Sequence, residues 1–301
     1  MLRPFDLLEN VLNDIERGIR TDIGSEELAK KYDISERHLR RLFRFAFKQP
    51  LCGYLRSRKL AVSLEDLLTS EKNVLDIAVD YGFGYEQSYI RAFKREFGTT
   101  PGDLRKSGQI VKVRPPLHLF DEHKLPDGVL FGPDIVMVPK FHIIGKPGLV
   151  PFAESVSLAP KMAKDFWHNE RSLIKNVKNP NVYIGFTSNI DPEAGSSEYM
   201  PSIMVENLNG VPPGLSGKTF DSTLCARFRY IGQHHYYEIN RTVAAAMYEA
   251  MRKFINDENE PEVHAKYTLQ VDRLFFEKID ISLYDGTYCQ MEWFSPVVEK
   301  M

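Results

Sequence analysis

Residues 76–105 read DIAVDYGFGYEQSYIRAFKREFGTTPGDLR, and the fold of the first third of the chain turns on them. Asn73 precedes a short helical pattern, NVLDIAVDY, where its side-chain oxygen can take a backbone N–H left over at the first turn. Gly82-Phe83-Gly84 then supplies a turn in which glycine adopts positive φ at little cost. A second helical pattern follows over YEQSYIRAFKREF, residues 85–97. On it Tyr89, Ile90, Phe93 and Phe97 recur at three- and four-residue steps and face inward, while Gln87, Arg91, Lys94 and Arg95 face out. Two helices joined by a tight turn, the second basic on its outer face, describe a helix-turn-helix unit.

The same design appears upstream. EELAKKY ends at the polar turn Asp33-Ile34-Ser35, and ERHLRRLFRFAFK follows. Leu39, Leu42, Phe43, Ala46 and Phe47 form one face; Arg37, Arg40, Arg41, Arg44 and Lys48 form the other. Ser25 and Ser35 each stand where a helix cap is expected. A cationic helix face is often only a solvated surface, so the repetition is what points to DNA. Arginine in the major groove can fork onto guanine O6 and N7, and glutamine can pair with adenine. The two units are bridged by a helical pattern from about Leu51 to Leu68. At 1.5 Å per residue it spans roughly 27 Å, near the ~34 Å turn that separates successive major grooves. One chain can then hold two reading helices on one duplex face. Before both units, Phe5, Leu8, Leu12, Ile15 and Ile19 mark a further amphipathic helix.

These residues carry a resemblance. Ile77, Ala78, Gly82, Phe83, Ser88, Tyr89, Phe93, Lys94, Phe97, Gly98, Pro101 and Arg105 match the signature of the AraC/XylS family of transcription regulators, and LAKKYDISERHLRRLF leading to YLRSRKLA resembles its upstream unit. The resemblance covers about the first hundred residues. It implies double-stranded DNA as partner, with contacts from both recognition helices: Arg37, Arg40, Arg41 and Arg44 in the first, Glu86, Gln87, Arg91 and Arg95 in the second. Glu86 departs from the more usual uncharged residue. It repels phosphate but could accept from cytosine N4.

Beyond Asp134 the pattern changes. DIVMVPKFHIIG reads as strand, residues 156–177 as helix, and NVYIGFTSN and YMPSIMVENL as strands. The order recurs: strand FDSTLCARFRYI, helix from about Tyr236 to Ile255, and strands near Tyr267–Ile279 and Thr287–Phe294. Strand-helix-strand-strand thus occurs twice, giving an α+β domain of two similar layers. The expected organisation is multidomain: an all-α domain over 1–107 with two helix-turn-helix units joined by a long helix, a Pro-rich linker over 108–133, and the α+β domain over 134–301. The duplicated pattern and the ending MEWFSPV resemble GyrI-like effector-binding domains. That resemblance implies an aromatic-lined groove between the halves, with a buried carboxylate for a small lipophilic or cationic effector. Charge pairing and cation–π attraction would hold such a ligand. Glu292 is the positional match, with Phe294 on its side of the strand and Tyr183, Tyr230 and Trp167 as walls; Glu206 and Glu277 are rival carboxylates. Two other readings stay open: a hydrolase of electrophilic compounds using a pocket Glu with a Tyr, and an interaction module that contacts RNA polymerase or another regulator.

Composition narrows the classes. The chain has 301 residues, 39 Lys and Arg against 41 Asp and Glu, and a net charge of −2, so any case for nucleic acid rests on local clustering. Cys52, Cys225 and Cys289 are scattered and odd in number, which argues against a disulfide framework and for a reducing compartment. No secretory leader and no run of about 20 apolar residues is evident, so a soluble cytoplasmic protein with no membrane partner is expected. His234 and His235 are adjacent, not at ligand spacing, and no phosphate-loop, dinucleotide or nucleophile-elbow motif occurs. Neither a metal nor a cofactor is expected, and the chain reads as a non-enzyme.

Overall fold

In the computed structural model, residues 2–21, 23–119, 123–235, 249, 267–270, 274–284 and 286–299 are described. The chain divides into a helical unit, Asp6–Leu119 with Leu2, and a sheet unit, Phe120–Met301 with residues 1 and 3–5. Each is taken separately.

The apolar stripe of α1 (Pro4–Gly18) is buried at Phe5, Leu8, Leu12 and Ile15. Helix α2 (Ser25–Lys31) turns at Asp33, whose φ of 53° is left-handed, into α3 (Glu36–Phe47). Ser35 caps α3, its Oγ accepting from His38 N at 3.2 Å. Ser25 does not cap α2: Gly24 holds that place, and the Ser25 hydroxyl turns to Glu36 and Arg40 instead. Helix α4 (Leu51–Thr69) runs to α5 (Val74–Asp80), which Asn73 caps through Asp76 N at 2.8 Å. Gly82, at φ 70°, makes the turn into α6 (Glu86–Phe97), and α7 (Pro101–Ser107) closes the series. Leu60, Leu64 and Leu67 of α4 pack on Ile77, Ala78, Tyr89 and Phe93, so the far end of α4 belongs to the core of the second helix-turn-helix.

The segment read as a linker is divided between the units. Arg114 and Leu117 stay with the helices: Arg58 Nη1 donates to Arg114 O at 2.8 Å, and Leu117 N donates to Tyr54 Oη at 3.0 Å. Lys124–Leu125 forms β1, and β2 already starts at Gly128, ending at Val138. Pro133 disguised this strand. The β2–β8 register shifts between Phe131 and Asp134, and such an irregularity tolerates a proline that regular pairing would exclude.

The sheet unit further comprises β3 (Phe141–Gly145), β4 (Gly148–Pro151), α8 (Ser155–Asp165), β5 (Val182–Asp191), β6 (Ser196–Val205), β7 (Ser216–Phe220), β8 (Thr223–Gly232), β9 (Tyr267–Leu269), β10 (Leu274–Asp280) and β11 (Cys289–Glu299). The helix expected over 156–177 gives way after Asp165 to one wide turn, Phe166–Glu170, and one tight turn, Arg171–Leu173. The helix expected over 236–255 lies outside the described residues. The two repeats do not form two layers. They join edge to edge in a single antiparallel sheet, β1-β2-β8-β11-β10-β5-β6-β3-β7, through the β10–β5 pair. Outward from that pair the order β5-β6-β3-β7 mirrors β10-β11-β8-β2, which is the duplication read in the sequence. Val138 and Phe141, only three positions apart in the chain, end β2 and start β3 on opposite sides of the sheet. The sheet must therefore curl. Its concave side encloses a cluster in which Phe276 stacks on Phe294 at 4.7 Å and meets Phe141 at 5.4 Å.

Candidate functional site

On α3, Arg37, Arg40 and Arg44 are exposed. Arg40 pairs with Glu36 at 2.6 Å, one turn back, and its Nη2 donates to Ser25 Oγ at 3.2 Å. Arg41, expected on the same outer face, is half-buried: its Nη2 lies 3.0 Å from Nδ1 of His38. Burial, aided by the charge of Arg41, lowers the His38 pKa to about 4, so the ring is neutral and able to accept. On α6, Gln87, Arg91 and Arg95 are exposed, whereas Glu86 is half-buried in the first turn. An acid there offsets the partial positive charge of the helix start. Arg91 and Arg95 line an open cleft whose far wall includes Ser25, the acceptor of Arg40. Arg40 of α3 thus touches a residue of the cleft that Arg91 and Arg95 of α6 line.

Strand alternation separates the aromatic and acidic residues of the second unit. Glu292 and Phe294 share the concave face. Arg227 Nη1 lies 3.3 Å and Lys278 Nζ 3.1 Å from the Glu292 carboxylate, and Arg227 also meets Asp134 at 3.3 Å. The register explains it, for Glu292 stands opposite Arg229 on β8 and Lys278 on β10. Tyr183, Tyr230 and Trp167 lie in the other core, beneath α8. The expected grouping of Glu292 with those three aromatics is therefore corrected: the sheet stands between them, and Glu292 already has two cations. Glu206 is exposed.

The carboxylate that does share a core with Tyr183 is Glu277. Tyr199 Oη donates to Glu277 Oε1 at 2.8 Å, and the Tyr183 and Tyr199 hydroxyls are hydrogen-bonded to each other. Burial raises the Glu277 carboxyl to about 7, against the opposing pull of the Tyr199 bond, and burial pushes both phenols well up. Gly185 makes the room. It faces Glu277 across the β10–β5 pair, and a Cβ there would stand 2.1 Å from Glu277 Oε1. Trp167 meets Tyr183 edge-on at 6.1 Å, and its ring carries the Arg171 guanidinium at 3.9 Å. Tyr230 is occupied differently, with His234 Nε2 at 3.0 Å from its hydroxyl.

Known families match both units. A helix-turn-helix domain family covers residues 28–107, and the family described as integron-associated effector binding protein covers residues 134–284, half of the chain. The chain belongs to the AraC family of DNA-binding transcription regulators, with an effector-binding second half. Regulatory protein SoxS of Salmonella typhimurium is 34% identical over 99 residues, 33% of this regulator and 92% of that protein. The right origin-binding protein of Escherichia coli K12 is 28% identical over 167 residues, 55% of this regulator and 54% of the relative, so the match spans about half of that protein's length. A solved integron cassette protein from Vibrio cholerae aligns with a TM-score of 0.39 at 10% identity, covering 56% of the regulator and 99% of that chain.

For this AraC-family chain, sequence reasoning missed Tyr199 and Gly185 and ranked Glu277 second. A signal existed. In LFFEKID, Glu277 sits between Phe275 and Ile279 on one face of a strand, a carboxylate in an apolar stripe. Among the described residues, no helix is long and apolar enough to cross a membrane, and no group of three or more His, Cys, Asp or Glu residues could hold a metal ion.

Proposed function

We propose that α3 and α6 of this regulator enter two successive major grooves of one duplex. Arg37, Arg40 and Arg44 act in the first groove and Gln87, Arg91 and Arg95 in the second. The observation that carries this reading is that Arg91 and Arg95 line a cleft together with Ser25, the residue to which Arg40 donates. Arg41 is assigned to positioning α3 through His38 rather than to the bases. A duplex selected from a randomised pool by the full chain provides the test. Replacing Arg40 and Arg91 together by Ala should abolish selective binding while leaving the thermal unfolding midpoint in place. Retained selectivity would sink the assignment.

In the second unit the effector reading centres on Glu277 with Tyr199, Tyr183 and Trp167. A lipophilic cation fits this chemistry, because its charge would ionise a carboxyl group that burial otherwise keeps protonated, while aromatic rings cover its body. The regulators among its relatives support sensing rather than catalysis. Benzyltrimethylammonium should raise the unfolding temperature of the wild-type chain and not of Glu277→Gln, whereas Glu292→Gln should retain the response. Such a regulator works in the cytoplasm, where it meets RNA polymerase at a promoter. Pull-down of polymerase with and without promoter DNA measures that contact.

A further inference from the structure

Two polar groups of β11 share the core that holds Glu277. The register places them there: Trp293 stands opposite Glu277 on β10 and Phe228 on β8, and Ser295 stands opposite Ala226. Phe228, Ala226 and Trp293 belong to one core with Tyr183 and Trp167. Trp293 is 7% exposed and Ser295 1%. Yet the Trp293 Nε1 and the Ser295 Oγ have no hydrogen-bond partner among the described residues. Tyr183, Tyr199, Glu277 and Tyr230, by contrast, are all bonded within the chain. The Trp293 ring lies against Phe275, 4.6 Å between centroids and 23° between planes, so packing sets the direction of its N–H. Buried donors are almost always paired, because the water they give up has to be replaced. Indole donates and does not accept. What Trp293 lacks is therefore a lone pair, which a cationic centre alone does not bring.

We propose that the effector carries a carbonyl-type oxygen as well as a cationic centre, with Trp293 Nε1 donating to that oxygen and Ser295 Oγ as a second donor. The inference rests on the Glu277 reading above and narrows its ligand class to lipophilic cations that bear an acceptor. The sheet sets the spacing of the two features. Glu277 Oε1 leans over Gly185 of β5, whereas Trp293 belongs to β11, on the other side of β10. Neighbouring strands are ~4.8 Å apart, so charge and acceptor are separated by one to two strand spacings, roughly 5–10 Å. Amino-alcohol esters of aromatic acids have this form: a cation, a short linker, a carbonyl and a ring. A site that presents a buried donor also discriminates against a ligand without the matching acceptor.

Calorimetric titration of the full chain with two probes tests this. One is benzoylcholine; the other is phenylbutyltrimethylammonium, which keeps the cation, the ring and the linker length but lacks the carbonyl. The wild type should bind benzoylcholine about tenfold tighter, the worth of one buried hydrogen bond. Trp293→Phe keeps an aromatic ring against Phe275 and removes the N–H, so the two affinities should converge. The readout is a ratio within one variant, and a general loss of affinity from the smaller ring does not mimic it. Ser295→Ala should reduce the preference in part. Its unfolding midpoint should not fall, since the hydroxyl removed has no partner to lose. Equal affinities in the wild type, or a preference that survives Trp293→Phe, overturn the acceptor assignment, and a lowered midpoint in Ser295→Ala removes Ser295 from it. Failure of the Glu277 reading looks different: Glu277→Gln would bind both probes as tightly as the wild type does. If neither probe binds the wild type, both readings fall together.

Discussion

Glu277 stands two residues from Phe275 on one side and from Ile279 on the other, all on one face of β10, so the fold places an ionisable group where it otherwise places core. Its carboxyl is raised to about 7 by burial. The folded chain then holds this proton more tightly than the unfolded chain. The resulting stability is complete below about pH 4.5 and disappears as pH rises through about 7. Urea unfolding at pH 5 and pH 8 should differ by about 2–3 kcal/mol on this account, and Glu277→Gln should remove the difference. His38 works in the opposite direction. Its pKa is lowered to about 4, so the folded chain resists its protonation, and stability present above about 6.5 is lost as pH falls toward 4. His38→Gln should flatten that acid limb. A persisting limb would move the cause to another group. Both effects were hidden from the sequence for one reason: a pKa depends on what burial and register place around a group, and His38 and Glu277 are neutralised by neighbours on other turns and strands.

At the scale of elements, helices were the more legible. Their signals are local, and the spacing of Leu39, Leu42, Phe43 and Ala46, the caps Ser35 and Asn73, and the turn at Gly82 all lie within one or two turns of the elements they define. Ser35→Ala should cost about 1 kcal/mol in the first helix-turn-helix, measurable by chemical unfolding of the full chain. The sheet was read less well. Alternation marked β5, β6, β8 and β11 but did not reveal their partners, and the partners decide which face meets which residue. Glu292 was preferred because its strand ends in a recognisable pattern, yet its register opposite Arg229 and beside Lys278 makes it a paired structural acid. Gly185 shows the same dependence. In the sequence it is one more glycine in a strand; across the β10–β5 pair it is the space that the Glu277 carboxyl occupies. Gly185→Ala should displace that carboxyl from Tyr199 and abolish the thermal response to a lipophilic cation, at a stability cost of about 1–3 kcal/mol. A full response in that variant would show that Glu277 is not the effector's carboxylate.

For the molecule as a whole, the decisive quantity is the rigidity of the spacer between the reading helices. Helix α4 has 19 residues, about 28 Å of helix, and both of its ends are built into cores. Tyr54 packs against Phe43 of the first unit, while Leu60, Leu64 and Leu67 belong to the core that contains Ile77 and Phe93 of the second. The separation and relative rotation of α3 and α6 are therefore fixed by side-chain packing, not by a tether. DNA offers its grooves with a fixed helical repeat, so half-site spacing becomes a geometric requirement. Inserting about five base pairs between the half-sites of a selected duplex turns the second groove to the opposite side. Affinity should then fall to that of arbitrary DNA, about a thousandfold or more. Inserting about ten base pairs restores the facing but adds ~34 Å of length, and a packed helix cannot stretch to follow it, so affinity should remain low. A flexibly joined pair of domains would behave otherwise, regaining most of its binding at the ten-base-pair insertion. Equilibrium titration of the three duplexes separates the two cases, and recovery at ten base pairs would mean that α4 does not hold the readers in place.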